Sequence, residues 1–153
     1  MSNDYRIKEM EAVDLIGIEL VTSAESIAAY ATAALDRIYD GLNDNSITPA
    51  GPSRLVYHEM NSDSWKIEVC VPVSGAADPP DGLSLGRFEG GRAATALYVG
   101  PYDQLGPAYR ELETWIEEQN LEPVGPPFDS YLNDPNEVKD PARFETEIIW
   151  PVK

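Results

Sequence analysis

Two stretches of the chain switch from a strand-like to a helix-like spacing of apolar residues, in the same order. The run Leu15-Ile16-Gly17-Ile18-Glu19-Leu20-Val21 is rich in β-formers and predicts a strand. It is followed by Ile27, Ala31, Ala34, Leu35, Ile38 and Leu42, apolar at three- and four-residue steps, which predicts an amphipathic helix from about Ala24 to Leu42. Thr22-Ser23-Ala24-Glu25 has capping-box spacing at its start. Further along, Ala93-Ala94-Thr95-Ala96-Leu97-Tyr98-Val99 predicts a second strand. A second helix follows with Leu105, Tyr109, Leu112 and Ile116 as its stripe, Asp103 or Gly106 as its cap, Pro107 in its first turn and its end near Asn120.

The repetition continues beyond the helices. Ile47-Thr48-Pro49-Ala50-Gly51-Pro52 matches Leu121-Glu122-Pro123-Val124-Gly125-Pro126, and the same offset sets Tyr57 against Tyr131. Ile67-Glu68-Val69-Cys70-Val71-Pro72-Val73 then aligns with Thr146-Glu147-Ile148-Ile149-Trp150-Pro151-Val152, with Glu, Pro and Val at the same steps. Each half therefore reads strand, helix, Pro-Gly-Pro loop and two strands: 54–60 with 66–73, and 128–133 with 145–152. Asn61-Ser62-Asp63-Ser64 is the expected turn of the first hairpin and the segment from Asp134 to Arg143 the longer connection of the second. The expected fold class is α+β: duplicated β-α-β-β modules with pseudo-twofold symmetry, an antiparallel sheet with both helices on one face and a groove on the other.

Between the halves, residues 74–82 have linker composition, and Leu85-Gly86-Arg87-Phe88 suits a short strand. Halves at about 1–74 and 85–153, joined by a linker at 75–84, are expected to form a single domain over 1–153, because half of a chain this size buries too little core alone.

Composition narrows the function. The first residues lack the apolar run of a signal peptide and no later stretch has the length of a membrane span, so a soluble, cytoplasmic protein with no membrane partner is expected. Cys70 and His58 are the only residues of their kinds, which rules out a disulfide framework or the usual Cys/His metal set; no metal or cofactor is expected. Cys70, inside Val69-Cys70-Val71, reads as an inert buried thiol. The formal charge of −16, with eleven scattered Lys and Arg, argues against direct binding of nucleic acid and favours neutral or cationic partners. There is no nucleophile elbow, phosphate-cradling loop or EF-hand.

Gly100-Pro101-Tyr102-Asp103, the helix after it, Gly125-Pro126-Pro127-Phe128, Tyr131 and Glu147-Ile148-Ile149-Trp150-Pro151-Val152 together resemble the GyrI-like effector-binding family, which includes the ligand-binding domains of BmrR-type and AraC-type regulators. The resemblance covers nearly the whole chain, and Glu68-Val69-Cys70-Val71-Pro72-Val73 is also typical of the family. It implies two strand–helix–strand–strand modules whose sheet cradles an amphipathic, often cationic or aromatic molecule, with a last-strand glutamate matching Glu147 and aromatic side chains around it. Regulators of the family carry an added DNA-binding segment for which this chain has no spare length, so a stand-alone member is expected. Some stand-alone members are described as hydrolases that open cyclopropane rings, and others are linked to gyrase inhibition.

Alternation along a strand turns Glu147 and Ile149 one way and Ile148 and Trp150 the other, toward the helices. Glu147 then faces the expected groove, and by the same parity Glu68 and Cys70 share a face. A carboxylate recessed among aromatics is partly desolvated, and a flat cation offsets that cost by Coulomb pairing and by cation–π attraction of about 0.5–2 kcal/mol per ring. Tyr57, Tyr131, Trp65, Tyr98 and Tyr102 are the candidate walls, and Glu68 a candidate second carboxylate. Tyr57 and Tyr131 rank first, being on strands next to the glutamate strands; Trp65 falls on the face opposite Glu68 if its strand is regular. Trp115 and Trp150 read as core. Three functions follow as expectations: a small-molecule-binding module; a hydrolase with Glu147 as general base and Tyr131 orienting or donating a proton; and a gyrase-inhibitor-like protein whose acidic surface meets a protein partner.

Overall fold

The computed structural model describes residues 4–61, 63–74, 78–133 and 137–153. Ser62 of the first expected turn, 75–77 of the expected linker and 134–136 of the second connection lie outside the described residues. The eight strands and two α-helices described fall into two compact units, one made of the chain up to Met10 with Gly91–Lys153, the other of Glu11–Gly90.

In the Glu11–Gly90 unit, β2 (Val13–Thr22) leads to α1 (Ile27–Asp44), then β3 (Arg54–Met60), β4 (Trp65–Val73) and β5 (Ser84–Phe88). The strands lie in the order β3-β4-β2-β5, each antiparallel to its neighbour. The predicted stripe packs as expected: Ala34, Ile38 and Leu42 of α1 are buried, and α1 contacts β2 and β4, where Ile16, Ile67, Val69 and Val71 are also buried. Gly17 stands opposite Cys70, and a Cβ there would lie 2.5 Å from the Val69 carbonyl oxygen. Only glycine permits this close strand pairing.

The other unit repeats the plan with β6 (Gly91–Val99), α2 (Leu105–Glu118), β7 (Phe128–Tyr131) and β8 (Glu145–Pro151), while β1 (Asp4–Met10) pairs with β6. Its order is β1-β6-β8-β7, again antiparallel throughout. Ala94, Ala96 and Tyr98 of β6 and Ile148 of β8 form one core with Leu105, Leu112 and Ile116 of α2. The two alanines of β6 present little bulk to the helix, and Trp115, Tyr109 and Trp150 fill its margins.

The duplication extends to the backbone. Each helix ends at a residue in the left-handed region, Ser46 (φ 55) and Asn120 (φ 58), after which the next N–H donates five residues back, Ile47 to the Leu42 carbonyl and Leu121 to that of Ile116. This is the Schellman closure. Each Pro-Gly-Pro loop then returns to the last strand of its unit, through Ala50 N–H to the Pro72 carbonyl and Val124 N–H to that of Pro151. The registers agree as well: Val56 and Ser130 oppose Glu68 and Glu147, and Tyr57 and Tyr131 oppose the residue before each glutamate.

Two expectations need correction, and one strand has no counterpart among the predicted elements. The Thr22-Ser23-Ala24-Glu25 box makes no side-chain cap: Ser23 opens a 3₁₀ turn, Ala24–Ser26, and its hydroxyl bonds that of Ser26 at 3.2 Å. The second helix is likewise entered through a 3₁₀ turn, Tyr102–Gln104, and its N-cap is Gln104, with no side-chain cap bond; the side chain of Asp103 is outside those described. Lastly, β1 had no counterpart in the predicted elements, because Tyr5 and Ile7 alternating with Arg6 and Lys8 give only two apolar steps. Its partner is β6, and its Tyr5 stacks on Trp115 with ring centroids 5.4 Å apart. No helix among the described residues is long and apolar enough to cross a membrane.

Candidate functional site

Strand β8 divides its side chains between two environments. Thr146, Ile148 and Trp150 belong to the α2 side, where Ile148 is fully buried and Trp150 packs edge-on to Tyr109 at 6.1 Å. Glu147 and Ile149 point the other way, as the alternation predicts. Register extends that second face to Thr95 and Leu97 of β6 and to Phe128 and Ser130 of β7. Thr95, Phe128, Ser130 and Ile149 are all buried, so the carboxylate, 19% exposed at its side chain, is recessed among them.

A cation already holds that carboxylate. Lys8, on the Glu147 face by its register opposite Ala93, donates from Nζ to Glu147 Oε2. Its side chain is 41% exposed, so the ammonium keeps one side in water. Sequence reading overlooked Lys8 because it lies far from Glu147 in the chain; only the β1–β6 pairing unites them. Arg6, opposite Thr95, adds a second basic residue to the same face.

The tyrosines proposed as walls are elsewhere. Tyr131 opposes Thr146 and therefore projects to the α2 side, so the structure does not bring it to Glu147. There its hydroxyl donates to Asp129 Oδ2 at 3.0 Å, while Tyr109 of α2 donates to Asp129 Oδ1 at 2.5 Å. Tyr102 packs against both Tyr131, at 5.3 Å, and Phe144, at 4.8 Å. Tyr98 is a core residue whose hydroxyl donates to the Pro101 carbonyl at 2.7 Å. Gly100, at φ 149, leaves space for that hydroxyl, which a Cβ would approach to 2.9 Å. Of the expected walls, Tyr131 and Tyr102 thus meet on the α2 side of the sheet, where Tyr131 and Tyr109 bond a buried aspartate, and Tyr98 is part of the core there.

In the Glu11–Gly90 unit, Glu68 shares its face with Val56 and Glu19 and lies 2.9 Å from His58 Nε2. Tyr57 and Trp65 meet edge to face at 5.9 Å and, from their register with Ile67, sit on the other face of β4. The structure therefore brings neither to Glu68. Cys70, between Gly17 and Arg54, is buried, and its thiol is pushed up to about 12 chiefly by that burial, then by the charge of Glu68, with Arg54 acting in the opposite sense. It stays protonated at neutral pH, which removes its nucleophilic form. Arg54 is itself held below its ordinary value by burial and lies over the Phe88 ring at 5.2 Å. Among the described residues no group of three or more His, Cys, Asp or Glu side chains could hold a metal ion.

Duplicated strand–helix–strand–strand modules, each an antiparallel sheet with one α-helix, define an α+β fold. The chain belongs to the family of GyrI-like small molecule binding domains, whose model matches residues 3–153. Its fold is that of the EcmrR C-terminal domain, with a TM-score of 0.90 at 21% identity, covering 100% of this chain and 99% of that one. In the EcmrR–DNA complex the match (TM-score 0.88, 21% identity, 99% of this chain) spans 57% of the EcmrR chain. SAV2435 bound to tetraphenylphosphonium is similar at a TM-score of 0.66 and 14% identity over 98% of this chain and 94% of that one. A hydrolase from Listeria innocua is similar at 0.67 and 14%, over 97% and 91%. No curated protein matches the sequence.

Proposed function

We propose that this chain binds an amphipathic small molecule, cationic and aromatic in character, on the Glu147 face, with the Glu147 carboxylate as its charge partner. The observation that carries this reading is a carboxylate recessed among buried Thr95, Phe128, Ser130 and Ile149 on the side of β8 away from α2. Such a position partly desolvates the charge, and a ligand cation with apolar bulk offsets that cost while burying its own rings. SAV2435, of the same fold, is bound to tetraphenylphosphonium, a cation of this class. The ligand's charge is assigned to Glu147; Glu68, held by His58, is assigned none. Tyr98, Tyr102 and Tyr131 are given no contact with the ligand in this reading and serve as packing on the α2 side. A hydrolytic version would have to find its proton donor elsewhere than Tyr131.

The test is a titration with tetraphenylphosphonium followed by intrinsic fluorescence. Saturable binding is expected in the unaltered protein, weakened at least ~10-fold in Glu147→Gln, since loss of a recessed ionic contact is worth about 1.4 kcal/mol or more. Equal affinity in the two proteins would remove Glu147 from the site.

A further inference from the structure

The Lys8–Glu147 pair raises a question that the binding reading leaves open: a cationic ligand meets a carboxylate that is already neutralised. We propose that Lys8 is the site's own resident cation, a displaceable stand-in that holds Glu147 in the free protein and sets which cations can enter. This rests on the assignment of Glu147 as the ligand's charge partner.

Three observations lead there. Lys8 lies on β1, which is separated from β8 by β6, so its side chain must reach across a whole strand to its partner. Ala93 and Thr95, the side chains of β6 next to it on this face, are short enough to leave that path open. The two ends of the pair differ in environment, since the lysine side chain is 41% exposed and the glutamate 19%. The ammonium can therefore return to water at little cost, whereas the carboxylate left behind cannot rehydrate to the same degree. Without a cation of its own, the free protein would keep a poorly solvated anion in a recess.

Exchange of Lys8 for a ligand then acts as a filter. A small ammonium ion gains from Glu147 only what Lys8 gives up, so the exchange is close to neutral and binding is not driven. A bulky aromatic cation makes the same exchange and in addition buries apolar surface, which Lys8 does not provide. The contact thus selects amphipathic cations over small hydrophilic ones by competition.

The experiment measures tetraphenylphosphonium and tetramethylammonium affinities, by calorimetry, for the unaltered protein, Lys8→Met, Lys8→Arg, Glu147→Gln and the Lys8→Met/Glu147→Gln double variant. Lys8→Met is expected to bind tetraphenylphosphonium at least ~10-fold more tightly and to gain measurable tetramethylammonium binding. Lys8→Arg should stay near the unaltered affinity, because it keeps the competing charge. In the double variant the gain from Lys8→Met should vanish, as it must if the two residues act through one contact. Should Lys8→Met fail to fold, Lys8→Gln, which keeps a polar end group, takes its place with the same expected direction. Unchanged or weaker binding in the lysine variants, with Glu147→Gln still impaired, overturns the role of Lys8 and leaves that of Glu147 intact. Unchanged binding in Glu147→Gln overturns both, as does the absence of tetraphenylphosphonium binding in every protein.

Discussion

Asp129→Ala is expected to lower the unfolding free energy by about 2–4 kcal/mol, because it leaves two tyrosine hydroxyls without their acceptor and opens a void in a packed layer. Asp129 has no exposed surface, and its two carboxylate oxygens accept from Tyr109 on α2 and Tyr131 on β7, so one side chain ties the helix to the strand. For a chain of this length the loss corresponds to a fall in Tm of roughly 5–15 °C, readable by circular dichroism. Asp129→Asn keeps the shape and one acceptor oxygen and should lose markedly less. A loss below about 0.5 kcal/mol in Asp129→Ala would show that the contacts hold nothing.

Two consecutive residues of β8 should separate folding from binding. Ile148 is fully buried in the core beneath α2, and Ile148→Ala removes three carbons there, so a cost of about 2–5 kcal/mol in urea unfolding is expected. Glu147 lies next to it on the other face, in an ion pair that touches water, and pairs of that kind contribute about 0–1 kcal/mol. Glu147→Gln is therefore expected to keep its stability within about 1 kcal/mol while losing affinity. Equal destabilisation by the two substitutions would mean that Glu147 serves the fold and that its proposed ligand role has no separate basis.

Much of the fold could be read in the amino-acid order because the duplication supplied two copies of each clue. The helical stripes of Ala34, Ile38 and Leu42 and of Leu105, Leu112 and Ile116 are buried as the spacing requires. The alignment of Tyr57 with Tyr131 is reproduced by the strand registers. What the pattern missed depends on pairing between distant segments. β1 has two apolar steps and is made a strand by its partner β6, and Lys8 meets Glu147 only through that pairing. The 3₁₀ entries to both helices were equally invisible, since capping-box spacing at Thr22–Glu25 does not decide whether the first turn is α or tighter.

The site was legible in parity but not in company. Alternation placed Glu147 and Ile148 on opposite faces correctly. Proximity along the chain, however, suggested that tyrosines on neighbouring strands would flank the carboxylate, and antiparallel register decides otherwise. Tyr131 opposes Thr146 and so shares the face of Ile148. A single residue of register would have exchanged the two faces. Applying the same rule to the aligned halves requires the β7–β8 offset, which the length of the connection after Asn133 leaves unspecified.

The central claim is that the Glu147 face, and not the aromatic cluster behind it, receives the ligand. A titration of the uniformly ¹⁵N-labelled protein with tetraphenylphosphonium, followed by amide chemical shifts, tests this directly. The expected result is saturable perturbation centred on Thr95, Leu97, Ser130 and Glu147, lost in Glu147→Gln. Perturbation centred instead on Tyr102, Tyr109, Asp129 and Phe144, or no saturable change at any amide, would contradict it.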